Sequence, residues 1–142
     1  MKKKRTVLLI TLCAVVIATA YFLIPAPMLP DYDKVEIYRV ILVTNSFDCR
    51  GNIDITEQID RDKMISALEK SSRSKLLRLI TGHEIFEGDI EVSLLLDDEK
   101  DFNIYLSAKN NNLNFIYGST LGHNIRNSGE LYKEIAMLLP AE

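Results

Sequence analysis

The chain opens with nineteen consecutive residues that carry no charge, Thr6 to Ile24, preceded by Lys2, Lys3, Lys4 and Arg5 and followed by Pro25-Ala26-Pro27. At about 1.5 Å of rise per residue this run makes roughly 28 Å of helix, close to the ~30 Å hydrocarbon core of a bilayer. The pattern predicts a transmembrane signal anchor over residues 6–24, with residues 1–5 as a cytoplasmic basic tail held inside by the positive-inside bias. Residues 25–33 read as a stiff Pro-containing spacer, and residues 34–142 as one extracytoplasmic domain. Ala18-Thr19-Ala20 also satisfies the small-x-small rule of a signal-peptidase site, so cleavage after Ala20 and secretion is the competing reading. The apolar run continues past that site through Tyr21, Phe22, Leu23 and Ile24, which suits an uncleaved anchor better. Lipidation at Cys13 is disfavoured because Leu12 stands where a small side chain is required.

Beyond the spacer the period changes. Val35 to Val43 is β-branched and aromatic, with alternation at its start, and predicts a strand; Asn45 to Asn52 predicts a turn, and Ile53 to Thr56 a second strand paired antiparallel to the first. Asp60 is positioned as a helix cap, Ile59 and Met64 occupy the two positions of a hydrophobic staple, and Met64, Ile65 and Leu68 form a stripe at helical spacing. That helix either frays near Ser71 to Ser74 or continues through Leu76, Leu77, Leu79 and Ile80 to a stop at Gly82. That C-terminal boundary remains open on the sequence.

Three apolar-rich runs follow, Asp89 to Leu96, Phe102 to Ala108 and Leu113 to Gly118. They are separated by Asp97 to Asp101 and by Lys109 to Asn112, which is turn chemistry. In the second run Phe102, Ile104, Leu106 and Ala108 are expected to face inward, with Asn103, Tyr105 and Ser107 opposite. Asn127 and Glu130 have capping-box spacing, ahead of a stripe of Leu131, Ile135 and Leu138 and a terminator at Pro140. The predicted order is β-β-α-β-β-β-α, an α+β class with one antiparallel sheet and its helices on one face.

Charge changes the picture of partners. The net charge is −3, yet four of seventeen basic residues precede the apolar run, leaving thirteen basic against twenty acidic residues, about −7, beyond it. That balance argues against a nucleic-acid partner and against tight adhesion of the whole surface to anionic lipid. Past the anchor only Cys49 remains, so an intramolecular disulfide is excluded there and the domain must rely on packing.

Candidate chemistry is sparse. His83 and His123, the chain's two histidines, stand forty residues apart in segments read as exposed loops, with no short-spaced ligand pair beside them. The acidic run Asp97 to Asp101 lacks the glycine and the distal glutamate of a calcium loop. No Gly-x-Ser-x-Gly turn and no glycine-rich phosphate cradle is present. The sequence therefore predicts no metal, no cofactor and no catalytic residues. The segments Thr81 to Gly88 and Ser119 to Ser128 read as long loops, of the kind that carry binding. Within and beside the second, Tyr117, Leu121, Ile125 and Arg126 are the candidate contact residues; the competing reading makes Ile125 a plug beneath the last helix.

Ile55-Thr56-Glu57, the helix around Met64 to Leu68, Asn103-Ile104-Tyr105-Leu106, and Phe115-Ile116-Tyr117 followed by Glu130-Leu131-Tyr132 give the chain a pattern that resembles small N-terminally anchored domains of unknown function in Gram-positive bacteria. The resemblance implies architecture and location alone. The expected function is a membrane-anchored extracytoplasmic binding or accessory module, held in the lipid bilayer by residues 6–24 and contacting an envelope protein. A secreted inhibitor-like or immunity-like protein and a small hydrolase are the alternatives.

Overall fold

A computed structural model describes residues 2–29, 34–44, 52–80, 82, 84–97, 100–110, 115–118 and 120–139. The expected turn at 45–51 with Cys49, as well as His83, Asp98, Glu99, Leu113 and Pro140, lie outside the described residues. Helix α1 spans Lys2–Leu23, and within it Thr6–Leu23 is long and apolar enough to cross a membrane. Its two mid-helix threonines are satisfied within the helix: Thr11 Oγ1 donates to the Val7 carbonyl at 3.0 Å and Thr19 Oγ1 to the Val15 carbonyl at 2.8 Å.

Eight strands form one antiparallel sheet: β1 (Ala26–Pro27), β2 (Val35–Leu42), β3 (Ile53–Asp54), β4 (Ser72–Leu79), β5 (Ile90–Leu96), β6 (Lys100–Leu106), β7 (Phe115–Tyr117) and β8 (Leu121–Ile125), in the spatial order β1-β4-β8-β7-β6-β5-β2-β3. Helices α2 (Arg61–Glu69) and α3 (Ser128–Ala136) touch each other and feed one core. Met64, Ala67 and Leu68 of α2, and Leu131 and Ile135 of α3, meet Ile37, Val40, Ile90, Val92, Leu94, Ile104, Leu106, Ile116 and Ile125 of the sheet. The fold is α+β, with an antiparallel sheet and further helices after an N-terminal apolar helix.

Local chemistry explains several elements. The predicted β2–β3 hairpin forms, with Ile41 opposite Asp54 and Leu42 opposite Ile53. A bulge between Ile37 and Arg39 inserts an extra residue, so Ile37 and Val40, three apart, both face the core while Tyr38 and Arg39 stay exposed. Asp60 caps α2, its side chain accepting the Lys63 amide at 3.1 Å, and the staple residues Ile59 and Met64 are both buried. At the β5–β6 tip Asp97 takes φ 52° and binds back to Lys34 in both directions, its amide to the Lys34 carbonyl and its carboxylate to the Lys34 amide.

α2 ends by Lys70, the earlier of the two ends left open, and residues 72–79 form β4. Other expectations are corrected. Of the expected loop Ser119 to Ser128, the described residues 120–128 are not a loop, because β8 and the first residue of α3 occupy most of them. The observed order after α1 is therefore β-β-β-α-β-β-β-β-β-α. Asn127 does not cap α3 through its side chain; its Oδ1 accepts the Ser72 amide at 3.2 Å and its Nδ2 donates to Ser71 Oγ at 3.4 Å, which ties the start of α3 to the start of β4. Ala108 is exposed rather than inward, while Tyr105 and Ser107, expected on the open face, are buried.

The proline-containing segment read as a spacer joins the sheet directly. Ala26 pairs with Arg73 and Pro27 with Ser72, the Met28 amide donates to the Ser71 carbonyl at 3.1 Å, and the Met28 side chain is wholly buried in the core. Met28 is five residues beyond the end of α1.

Candidate functional site

The sheet's β6–β7–β8 region leaves a cleft of about 610 Å³, lined by Leu77, Asp101, Phe102, Ile116, Tyr117, Gly118, Leu121, Gly122 and His123. An inner recess of about 150 Å³, lined by Met28, Leu29, Arg73, Leu96, Phe102, Ile116 and His123, shares three of those residues. Phe102, Ile116 and His123 thus form the partition between surface and core. Cross-strand pairing sets them together: Ile104 lies opposite Ile116, Ile116 opposite His123, and His123 opposite Leu77.

Gly122 makes the β7–β8 approach possible. A Cβ built there would stand 2.6 Å from the Ile116 carbonyl oxygen and 2.9 Å from Tyr117 Cβ, so any side chain forces the two strands apart. The strand is short and carries Gly, His and Asn in succession, which hid it from a reading based on apolar alternation.

His123 is half-buried on β8, not an exposed loop residue. Its Nδ1 is buried and has no hydrogen-bond partner among the described residues. Burial lowers its pKa from the ordinary 6.5, and the Arg73 guanidinium lowers it further, while the Leu76 and Ser74 carbonyls oppose both effects. At neutral pH the ring is therefore uncharged, and its Nδ1 is enclosed rather than presented to solvent. Arg73 is itself fixed, its Nε donating to the Pro27 carbonyl at 3.1 Å.

The four residues singled out from sequence do not form one patch. Tyr117 and Leu121 line the cleft. Tyr117 also donates its hydroxyl to Glu91 Oε1 at 3.0 Å, and burial, followed by the Glu91 charge, pushes its pKa up to about 12. Ile125 is a core residue, 5% exposed, as the plug reading held. Arg126 is exposed beside the end of α1, with Nη2 3.5 Å from the Leu23 carbonyl oxygen. Leu77, Phe102 and His123 were missed as site residues; the signal for them is the strand pairing, which appears only once β4 and β8 are recognised.

A separate polar hub lies on the wholly buried Asp89. Its carboxylate accepts the Phe86 amide at 2.8 Å, the Ala108 amide at 2.7 Å and the Tyr105 hydroxyl. Tyr132 donates to the neighbouring Gly88 carbonyl at 2.8 Å. Burial first, then Asp89, raises the Tyr105 pKa well above its usual value, so that phenol stays a proton donor. Each group in the hub has a structural partner, which makes it a device for closing the segment 84–89 onto the sheet. Among the described residues no group of three or more His, Cys, Asp or Glu side chains is gathered to hold a metal ion.

No protein-family model, curated protein or solved structure matches the chain.

Proposed function

We propose that the chain is a single-pass membrane protein whose sheet domain lies outside the cytoplasm and acts as a non-catalytic binding module for another envelope protein. The cleft over β6, β7 and β8, with Leu77 of β4 at its edge, is its contact surface. The observation that carries this reading is the cleft's rim: Leu77 and Leu121 are 62% and 46% exposed beside the half-buried His123, a combination of apolar area and one polar side chain. Apolar side chains gathered with a polar anchor are what a partner covers. His123 faces backbone carbonyls, Arg73 and apolar side chains, which hold the ring in place rather than set it beside a nucleophile. The uncharged run Thr6 to Ile24, with its preceding cations, supports the topology, and the likeness to anchored domains supports the location.

The test is position-specific photocrosslinking in intact cells, with the reactive residue placed at Leu77 or Leu121 and, as control, at exposed Glu69 on α2. The proposal expects one discrete protein adduct from the two cleft positions that is absent from the control. Adducts no stronger at the cleft than at Glu69 would remove the cleft from the account.

A further inference from the structure

The start of β4 is tied to the segment that follows α1, and the strand then runs back toward the helix as far as Lys75. Pro27 pairs with Ser72 and Ala26 with Arg73, antiparallel, so each step forward on β4 is a step back toward the helix. Two residues further on, Lys75 Nζ sits 3.9 Å from the centre of the Tyr21 ring, inside the last turn of α1. If α1 spans the bilayer, Tyr21 marks its outer interface, and Lys75 is at the same depth. The residues after Lys75 then continue at or below that level.

Those residues are Leu76, Leu77, Arg78 and Leu79, and the three leucines are 57%, 62% and 61% exposed. Leu79 lies at most about 13 Å along the strand from Lys75, comparable with the ~5–10 Å depth to which interfacial segments bury their apolar side chains plus the headgroup layer above. The strand Ser72–Leu79 also carries three cations, Arg73, Lys75 and Arg78, and no acidic residue, in a chain that beyond α1 has thirteen basic and twenty acidic residues. Past Arg73 only β8 pairs with β4 among the described strands, so the strand is an edge whose other side is open except where α1 packs.

From these placements we infer that the far half of β4 is a membrane-docking edge: Leu76 and Leu79 enter the outer interfacial layer of the same bilayer that holds α1, with Lys75 at the headgroup level beside Tyr21 and Arg78, whose Nη1 donates to Asn124 Oδ1 at 2.7 Å, adding its charge to that edge. The inference rests on the proposed anchor but goes beyond it, because the domain is then seated on the membrane and its cleft is presented to partners at the membrane surface. Long cationic stems beside apolar residues suit this layer, where the charge stays hydrated while the chain covers lipid. The overall acidity of the domain does not oppose it, since the charge that faces lipid is the local one.

The chain contains no tryptophan, so single introduced tryptophans report position without background. Full-length protein carrying Leu76→Trp, Leu79→Trp, Tyr21→Trp or Glu69→Trp is reconstituted into phosphatidylcholine–phosphatidylglycerol vesicles with brominated acyl chains. The expectation is that Leu76→Trp and Leu79→Trp are blue-shifted and quenched several-fold more than Glu69→Trp, and that Lys75→Glu with Arg78→Glu removes most of that quenching. Quenching of Tyr21→Trp alone, with Leu76→Trp and Leu79→Trp matching Glu69→Trp, overturns the docking edge and leaves the anchor standing. An unquenched Tyr21→Trp overturns both. Blue shift at Leu76→Trp and Leu79→Trp without lipid quenching assigns the edge to a protein contact and also overturns the proposal.

Discussion

Replacing Met28 by alanine separates a domain stitched to its helix from one hung on a spacer. Met28 is 0% exposed, donates its amide to Ser71, and lines the recess beside Phe102, Ile116 and His123, yet it lies only five residues beyond Leu23. Truncating a fully buried methionine removes its transfer free energy and leaves a cavity, together about 2–5 kcal/mol. The existing recess of about 150 Å³ means the site already has free volume on one side, so collapse recovers little and the upper half of that range applies. For a domain with a stability of about 5–15 kcal/mol, such a loss lowers Tm by roughly 14–20 °C, taking about 4 °C per kcal/mol for this size. Thermal melting of the full chain in mild detergent, followed by near-ultraviolet circular dichroism, measures it. Met28→Leu, which conserves volume, should cost less than about 1.5 kcal/mol. A Met28→Ala protein melting within a degree or two of the parent would refute the reasoning, because residues 25–29 would then be a loose connector with no share in the core.

Three further outcomes follow from the geometry. Asp89→Ala strands two amides and a phenol in the interior and should cost about 3–5 kcal/mol, against about 1–3 for Tyr105→Phe, which leaves both amide bonds in place; urea titrations give the ordering, and equal losses would contradict it. Gly122→Ala must push β7 from β8 and should cost about 1–3 kcal/mol, with faster hydrogen exchange at Ile116 and Tyr117, whereas an unchanged exchange pattern would deny the close approach. Because the folded-state pKa of His123 lies below its ordinary 6.5, its contribution is complete above 6.5 and is lost as pH falls from there toward the folded value. His123→Gln should therefore flatten the decline in Tm between neutral pH and pH 5. Asp54 and Asp60, held below their usual 3.8 chiefly by bonds from Thr56 and Lys63, act in a separate window that is lost only under more acidic conditions.

Where one local rule decides, the sequence was readable. The charge-free run foretold α1, Asp60 with Ile59 and Met64 foretold the start of α2, and Asp97 foretold a tip that tolerates left-handed backbone. β4 was obscured for a physical reason: its register shifts between Arg73 and Leu77, so apolar alternation is broken, and Leu76, Leu77, Leu79 and Ile80 imitate helical spacing although the leucines are exposed. β1 is two residues long, one of them proline, and depends on a partner far along the chain. Of the candidate site, Tyr117 and Leu121 were legible because they stand where the apolar run ending at Gly118 gives way to a polar stretch. His123 was misplaced because its burial depends on β4, and Ile125 and Arg126 were parted by the strand alternation that β8 imposes.

The anchored, outward-facing topology is tested most directly by labelling one cysteine with a membrane-impermeant maleimide in cells whose cytoplasmic membrane is intact. The protein carries Glu69→Cys on exposed α2, with Cys13→Ser and Cys49→Ser removing the native thiols. The account predicts full labelling before lysis, on a membrane-bound chain whose mass retains residues 1–20. Labelling only after lysis would place the domain in the cytoplasm and contradict it.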